Sequence, residues 1–138
     1  MTTARDIMTP GVECIRSSDT VLEAARKMAH LDVGALPICG EDNQLKGMLT
    51  DRDIVVKVIA QRKDPLGVHA SELAQGTPVM VQADDDVAKV CEVMSQHQIR
   101  RVPVLENDRL VGIVAQADVA RQLDNPKAGS VVEAVSQK

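Results

Sequence analysis

The feature that most constrains this chain is that it repeats itself. Shifting the second half back by 66 positions lays Asp85 on Asp19, Val87 on Val21, Met94 on Met28 and Pro103 on Pro37. After one deletion in a turn, Leu110 falls on Leu45, Gly112 on Gly47 and Asp118 on Asp53. Conservative pairs fill the intervals: Ile15 with Val81, Val33 with Ile99, Leu36 with Val102. Two copies of this length imply one supersecondary unit used twice, not a long solenoid.

The unit reads as β-α-β-β-α. Val12 to Ile15 is a short strand, and Thr20 with Glu23 forms a capping box. Val21, Ala24, Ala25 and Met28 then mark one helical face, which Gly34 is expected to end. Ala35 to Cys39 is a second strand, Asp42-Asn43 a turn, and Leu45 to Leu49 a third strand. Thr50 or Asp51 caps a second helix with Ile54, Val55, Val58 and Ile59 on its apolar face. The second copy gives a strand at Val79 to Val81 and a helix with Val87, Val90, Cys91 and Met94 inward. Strands at Arg101 to Leu105 and Leu110 to Val114 turn at Asn107-Asp108, and a helix runs from Asp118 to Leu123. Residues 61 to 70 read as the linker, and the tail after Pro126 as a short helix around Val131 to Val135 or a frayed end. Pro37 and Pro103 stand inside strand patterns, where proline removes a ladder donor. The bond-free side of each strand must therefore face an edge or something other than a neighbouring strand, such as a ligand.

Composition narrows the function. The net charge is −4, whereas proteins that live on phosphate backbones carry a basic surplus. With no Phe, Tyr or Trp there is no stacking platform for single-stranded nucleic acid, and the core must be aliphatic. Nucleic-acid binding is disfavoured. No apolar run approaches the roughly 18 residues of a membrane span, and the N-terminal residues lack signal-peptide character. The expectation is a cytoplasmic protein with no membrane association.

The segment Gly47-Met48-Leu49-Thr50-Asp51-Arg52-Asp53-Ile54 resembles the Gly-φ-φ-Thr-x-x-Asp-φ signature of CBS domains, φ being apolar. Gly112-Ile113-Val114-Ala115-Gln116-Ala117-Asp118-Val119 is similar to it as a second copy. Ala35-Leu36-Pro37-Ile38 and Arg101-Val102-Pro103-Val104 resemble the strand that precedes that signature. The likeness covers roughly residues 4 to 124, with one domain over 1–66 and the other, with the tail, over 67–138. Met1 to Met8, Gly34 to Gly40 and Gly47 to Val55 further resemble the small stand-alone hypoxic response type within the family.

The resemblance implies an α/β (α+β) fold, with two β-α-β-β-α repeats packed sheet to sheet about a pseudo-two-fold axis. It implies two clefts that often hold AMP, ATP or, less often, S-adenosylmethionine, and pairing into a homodimer through helices. No cofactor is required by it, and the regulated protein partner is not named by the residues.

The site expectation follows from nucleotide chemistry. An ionised Asp accepts both ribose hydroxyls, and positive charge or N–H donors hold phosphate. Asp53 and Asp118 match the family's ribose position, each beside a helix N-terminus that favours anions. Thr50 accompanies Asp53, whereas Ala115 stands where the family prefers Thr or Ser. Arg100 and Arg101 precede Pro103, where Gly34 and Ala35 precede Pro37. Under the family's pseudo-symmetry each cleft joins one copy's Asp to the other copy's pre-proline segment. Thr50, Asp53, Arg100 and Arg101 are thus the expected ligand site, and Asp118 with Ala35 a weak secondary cleft. The bland alternative is that both aspartates only cap helices and the arginines are solvated.

In this fold Cys14 and Cys39 lie on neighbouring strands and form a disulfide candidate, while Cys91 on its helical face reads as core. No C-x-x-C pair and no His spacing supports a metal site. No Gly-rich phosphate loop or nucleophile elbow supports catalysis, so no catalytic residue is assigned and the chain is expected not to be an enzyme. Two readings remain: a sensor binding an adenine nucleotide, or a stress-response structural or redox-responsive dimer whose clefts are degenerate. The dimer is expected to use the helices bearing Val21, Ala24, Met28 and Val87, Val90, Met94, read as having more apolar residues than one small sheet can cover.

Overall fold

The structure, a computed structural model, describes residues 2–74 and 78–122; Leu123 and the expected tail helix lie outside them. The chain divides into two compact units, Glu13–Pro78 and Met1–Val12 together with Val79–Lys138. The sequence division at 66/67 and the spatial one differ, because the N-terminal segment packs on the second repeat.

The first-repeat unit contains β2 (Ile15–Arg16), α2 (Val21–Leu31), β3 (Ala35–Cys39), β4 (Leu45–Thr50) and α3 (Asp51–Ile54), and its partner elements in the other unit are α1 (Ala4–Ile7), β1 (Thr9–Pro10), β5 (Val81–Gln82), α4 (Val87–His97), β6 (Arg101–Glu106), β7 (Arg109–Ala115) and α5 (Gln116–Gln122). The first unit's sheet has the order β2-β3-β4, with β2 parallel and β4 antiparallel to β3. The second unit's sheet has the order β1-β7-β6-β5, with β5 parallel and β7 antiparallel to β6. The fold is mixed α/β with each repeat a β-α-β-β-α unit.

The prolines explain why the first strands are short and late. Pro37 and Pro103 sit in strands flanked on both sides, yet β2 pairs from Ile38 onward and β5 from Val104 onward. A residue without an N–H cannot extend the ladder, so pairing starts one residue beyond each proline. The expected strands at Val12 to Ile15 and Val79 to Val81 therefore shift to Ile15–Arg16 and Val81–Gln82.

Helix α2 starts at the expected box: Glu23 N–H donates to Thr20 Oγ1 at 3.2 Å and Thr20 N–H to Glu23 Oε1 at 3.2 Å. Gly34 does not end it. Asp32 does, in the left-handed region at φ 56°, with Val33 N–H reaching back to Met28 O at 3.0 Å. Gln98 closes α4 in the same way at φ 51°. Asn107 and Asp108, at φ 52° and 63°, give two consecutive left-handed residues, the requirement of a tight hairpin turn.

Two expectations about apolar faces are corrected. Beyond α3 the chain continues as a π-helix, Val55–Ile59, closed by bonds such as Ala60 N–H to Val55 O at 2.8 Å. The widened turn buries Ile54 and Val58, while Val55 and Ile59 are 58% and 54% exposed. Conversely Val21, Ala24 and Met28, like Val87, Val90 and Met94, are buried in the cores of their own units. Those helices have no apolar surplus, because α2 covers Leu36, Ile38 and Leu49 and α4 covers Val102, Val104 and Val114. Among the described residues no helix is long and apolar enough to cross a membrane.

Candidate functional site

In both repeats the signature forms at the junction of the last strand and the following helix. Thr50 caps α3: Asp53 N–H donates to Thr50 Oγ1 at 3.1 Å, and Thr50 N–H donates to Asp53 Oδ2 at 3.0 Å. One carboxylate oxygen is therefore committed to the backbone. The other, Oδ1, faces Lys57 Nζ at 3.4 Å, longer than a close charge-assisted bond. The Asp53 side chain keeps 23% of its surface exposed.

The second copy has no hydroxyl at its cap but keeps the carboxylate bond, Ala115 N–H to Asp118 Oδ2 at 2.8 Å. Arg121 donates to Asp118 Oδ1, and the Asp118 side chain is only 9% exposed. Both oxygens of Asp118 are thus hydrogen-bonded, whereas the second oxygen of Asp53 has only the longer ion pair with Lys57. The cations Lys57 and Arg121 were not singled out from the sequence. Their signal was there to read, a basic residue three or four positions after a helical Asp.

Each pre-proline segment is tied to the signature of its own repeat. Asp51 N–H donates to Gly34 O at 2.9 Å, and Gln116 N–H to Arg100 O at 2.8 Å. Ala35 pairs with Thr50 and Arg101 with Ala115 across the hairpins. At Gly34 a Cβ would lie 3.1 Å from Asp51 Oδ2, so the smallest residue lets that carboxylate lie over the strand end. Thr50 and Asp53 thus meet in the first-repeat unit together with Ala35, and Arg100 and Arg101 stand on the second-repeat unit near Asp118. Both arginines are exposed, and no ion pair engages either among the described residues.

Cys14 and Cys39 are both free cysteines, the first half-buried and the second buried. Burial first, and the Cys14 contact second, push the Cys39 thiol up to about 12. Lys27 Nζ donates to Cys14 O at 3.2 Å, anchoring the half-buried cysteine from α2. Cys91 is buried on α4. Among the described residues no group of three or more His, Cys, Asp or Glu side chains is placed to hold a metal ion.

Residues 4–60 and 70–125 each match the CBS domain family. The chain belongs to that family. Its CBS repeats are 49% identical over 135 residues to Hypoxic response protein 1 of Mycobacterium tuberculosis, covering 98% of this chain and 94% of that one. They are 41% identical over 143 residues to the CBS domain-containing protein YhcV of Bacillus subtilis, covering 100% and 98%. Among solved structures, that of Hypoxic Response Protein I, described with two coordinated zinc ions, matches with a TM-score of 0.82 at 52% identity, covering 88% of this chain and 99% of that one. CBSX2, solved in complex with AMP, matches with a TM-score of 0.75 at 23% identity over 88% and 96%, a likeness of fold alone. The protein is a CBS-pair regulatory module.

Proposed function

We propose that this CBS pair is a non-enzymatic cytoplasmic sensor that binds an adenine nucleotide of the AMP or ATP kind. Thr50 and Asp53 recognise the ribose, and Arg100 and Arg101 supply the charge for phosphate. The observation that carries the reading is the difference between the two signature carboxylates. Asp53 is partly exposed beside a hydroxyl and its second oxygen meets only the 3.4 Å ion pair with Lys57, while Asp118 is buried with both oxygens hydrogen-bonded. The AMP complex of a structural neighbour lends the ligand class.

The test is calorimetric titration with AMP, ATP and adenosine. A charged hydrogen bond is worth roughly 1.5 to 3 kcal/mol, so Asp53→Ala weakens binding about tenfold or more. Replacing Arg100 and Arg101 harms AMP and ATP far more than adenosine, and Asp118→Ala changes little. Loss of binding in Asp118→Ala with Asp53→Ala intact overturns the assignment. Because the chain has no Trp or Tyr, absorbance at 260 nm in purified protein also reports carried-over nucleotide.

A second reading is supported by two free cysteines, Cys14 and Cys39, on segments brought side by side by the Arg16↔Cys39 pairing: a redox-responsive dimer whose clefts bind nothing. Oxidation links Cys14 to Cys39, and the exposed Val55, Val56 and Ile59 face of the π-helix joins two copies. Closing that loop is worth roughly 3 kcal/mol on the chain-entropy account. A wild-type protein that binds no nucleotide at millimolar concentration, while forming this disulfide on mild oxidation, selects this reading.

A further inference from the structure

The cation that meets each signature carboxylate is not part of the repeat. Past the deletion in the turn, Asp118 falls on Asp53, but Arg121 falls on Val56 and Gln122 on Lys57. The strand–helix junction itself is built alike in both copies and uses neither cation. Thr50 N–H donates to Asp53 Oδ2 at 3.0 Å, and Ala115 N–H to Asp118 Oδ2 at 2.8 Å. Asp51 N–H donates to Gly34 O at 2.9 Å, and Gln116 N–H to Arg100 O at 2.8 Å. The first repeat makes this junction with Val56, 41% exposed, at the position that Arg121 holds in the second. The pairing of Arg121 with Asp118 is therefore an addition to the junction and not a condition of it.

What the addition changes is access to the second carboxylate oxygen. Arg121 donates to Asp118 Oδ1, and the Asp118 side chain keeps 9% of its surface, against 23% for Asp53 beside Lys57. Arg121 itself is 72% exposed, so it covers the carboxylate from the solvent side. A guanidinium N–H and a ribose O–H make the same demand on a carboxylate, since each donates to an oxygen lone pair. Lys57, a point charge at 3.4 Å, holds Asp53 Oδ1 less closely than the fork of Arg121 holds Asp118 Oδ1.

We propose that Arg121 is an internal plug of the second signature: its guanidinium occupies the oxygen with which Asp118 would accept a nucleoside hydroxyl, and this leaves the pair with one open signature of two. The inference rests on the nucleotide reading above and assigns the selectivity between the two signatures to one residue. A charge-assisted bond of ordinary strength shifts an equilibrium by about ten- to a hundredfold. A ligand at Asp118 has to displace that bond before it gains its own.

The test is equilibrium dialysis of the full-length chain with adenosine, which has the ribose hydroxyls and no phosphate. Removing a positive charge does not of itself weaken its binding. Three proteins are compared: wild type, Arg121→Val, which places there the residue of the first repeat, and Arg121→Val with Asp118→Ala. Arg121→Val is expected to bind one more equivalent per chain than wild type, at an affinity about tenfold or more above that of the plugged signature. Adding Asp118→Ala is expected to remove the gain. Binding by Arg121→Val equal to wild type overturns the proposal, as does a gain that survives Asp118→Ala. Far-UV circular dichroism checks that each variant is folded. Should Arg121→Val not fold, Arg121→Lys decides, because it keeps the charge and loses the fork: a smaller gain of the same site supports the plug, and binding equal to wild type overturns it. The wild-type arm tests the nucleotide reading, and the difference between arms tests the plug. A wild type that binds nothing beside an Arg121→Val protein that binds one equivalent overturns the first and supports the second.

Discussion

Gly47 and Gly112 hold the same place in the two signatures but answer to different neighbours. A Cβ at Gly112 would press on the Met8 side chain and on backbone at Thr9, whereas at Gly47 it would meet Ala74 Cβ at 3.4 Å. Gly112→Ala should therefore destabilise by roughly 1 to 3 kcal/mol, as overpacking does. Gly47→Ala should lie between neutral and about 1 kcal/mol stabilising, through lower entropy of the unfolded chain. Urea denaturation of the two variants checks the contrast. At Cys39, burial and the Cys14 contact hold the thiol protonated up to about 12. The folded state thus favours the neutral form, and this contribution is complete below the unfolded thiol value of about 8.5. It is lost as pH rises from there toward 12. The urea midpoint should fall between neutral and strongly alkaline pH, and fall less in Cys39→Ala. Alkylation of native protein should label half-exposed Cys14 before buried Cys39.

At the scale of elements, local bonds make the helices and the second helix of the first repeat decides the outer surface. Thr20→Ala removes the acceptor for Glu23 N–H and should cost about 1 kcal/mol. The π-helix turns Val58 inward and leaves Val55, Val56 and Ile59 outward. Val55→Asp with Ile59→Asp should leave thermal stability nearly unchanged, since neither side chain packs in the core. If this face joins two copies, the pair of substitutions halves the mass seen by light scattering. Val58→Asp should instead prevent folding, because it places an unpaired carboxylate in an aliphatic core.

For the whole molecule, the two cores are separate clusters: Ala4 and Ile7 join the core of the second repeat, and Val68, Ala70 and Leu73 that of the first. Met94→Ala and Leu36→Ala each remove a fully buried side chain and should cost roughly 2 to 5 kcal/mol. Their footprints should differ. By hydrogen exchange, Met94→Ala should deprotect residues 81–119 together with the N-terminal arm, residues 4–8, which packs on the same unit. Leu36→Ala should deprotect residues 15–58 together with residues 68–73. A footprint in which the arm follows the first repeat would contradict the division of the chain into these units.

Periodicity and caps were enough to place α2, α4 and both hairpins, because Thr20-x-x-Glu23, Asn107-Asp108 and the alternating apolar strands act over a few residues. The signature Asp53 and Asp118 were legible as well, since a strand–Thr–helix junction is a local event. The sequence did not show that Asp32 and Gln98 end the helices, because αL tolerance in non-glycine residues leaves little mark. Nor did it show that Val55 and Ile59 face outward, since a π-turn reads like an α-helix one residue at a time. The engagement of Asp118 by Arg121 depends on a side-chain rotamer, which spacing suggests but does not fix. Only the tertiary structure decided that residues 4–7 close the second repeat and residues 68–73 the first. That choice is made by backbone bonds between residues nearly eighty positions apart, such as Arg5 to Ala83, and backbone groups are the same in every residue.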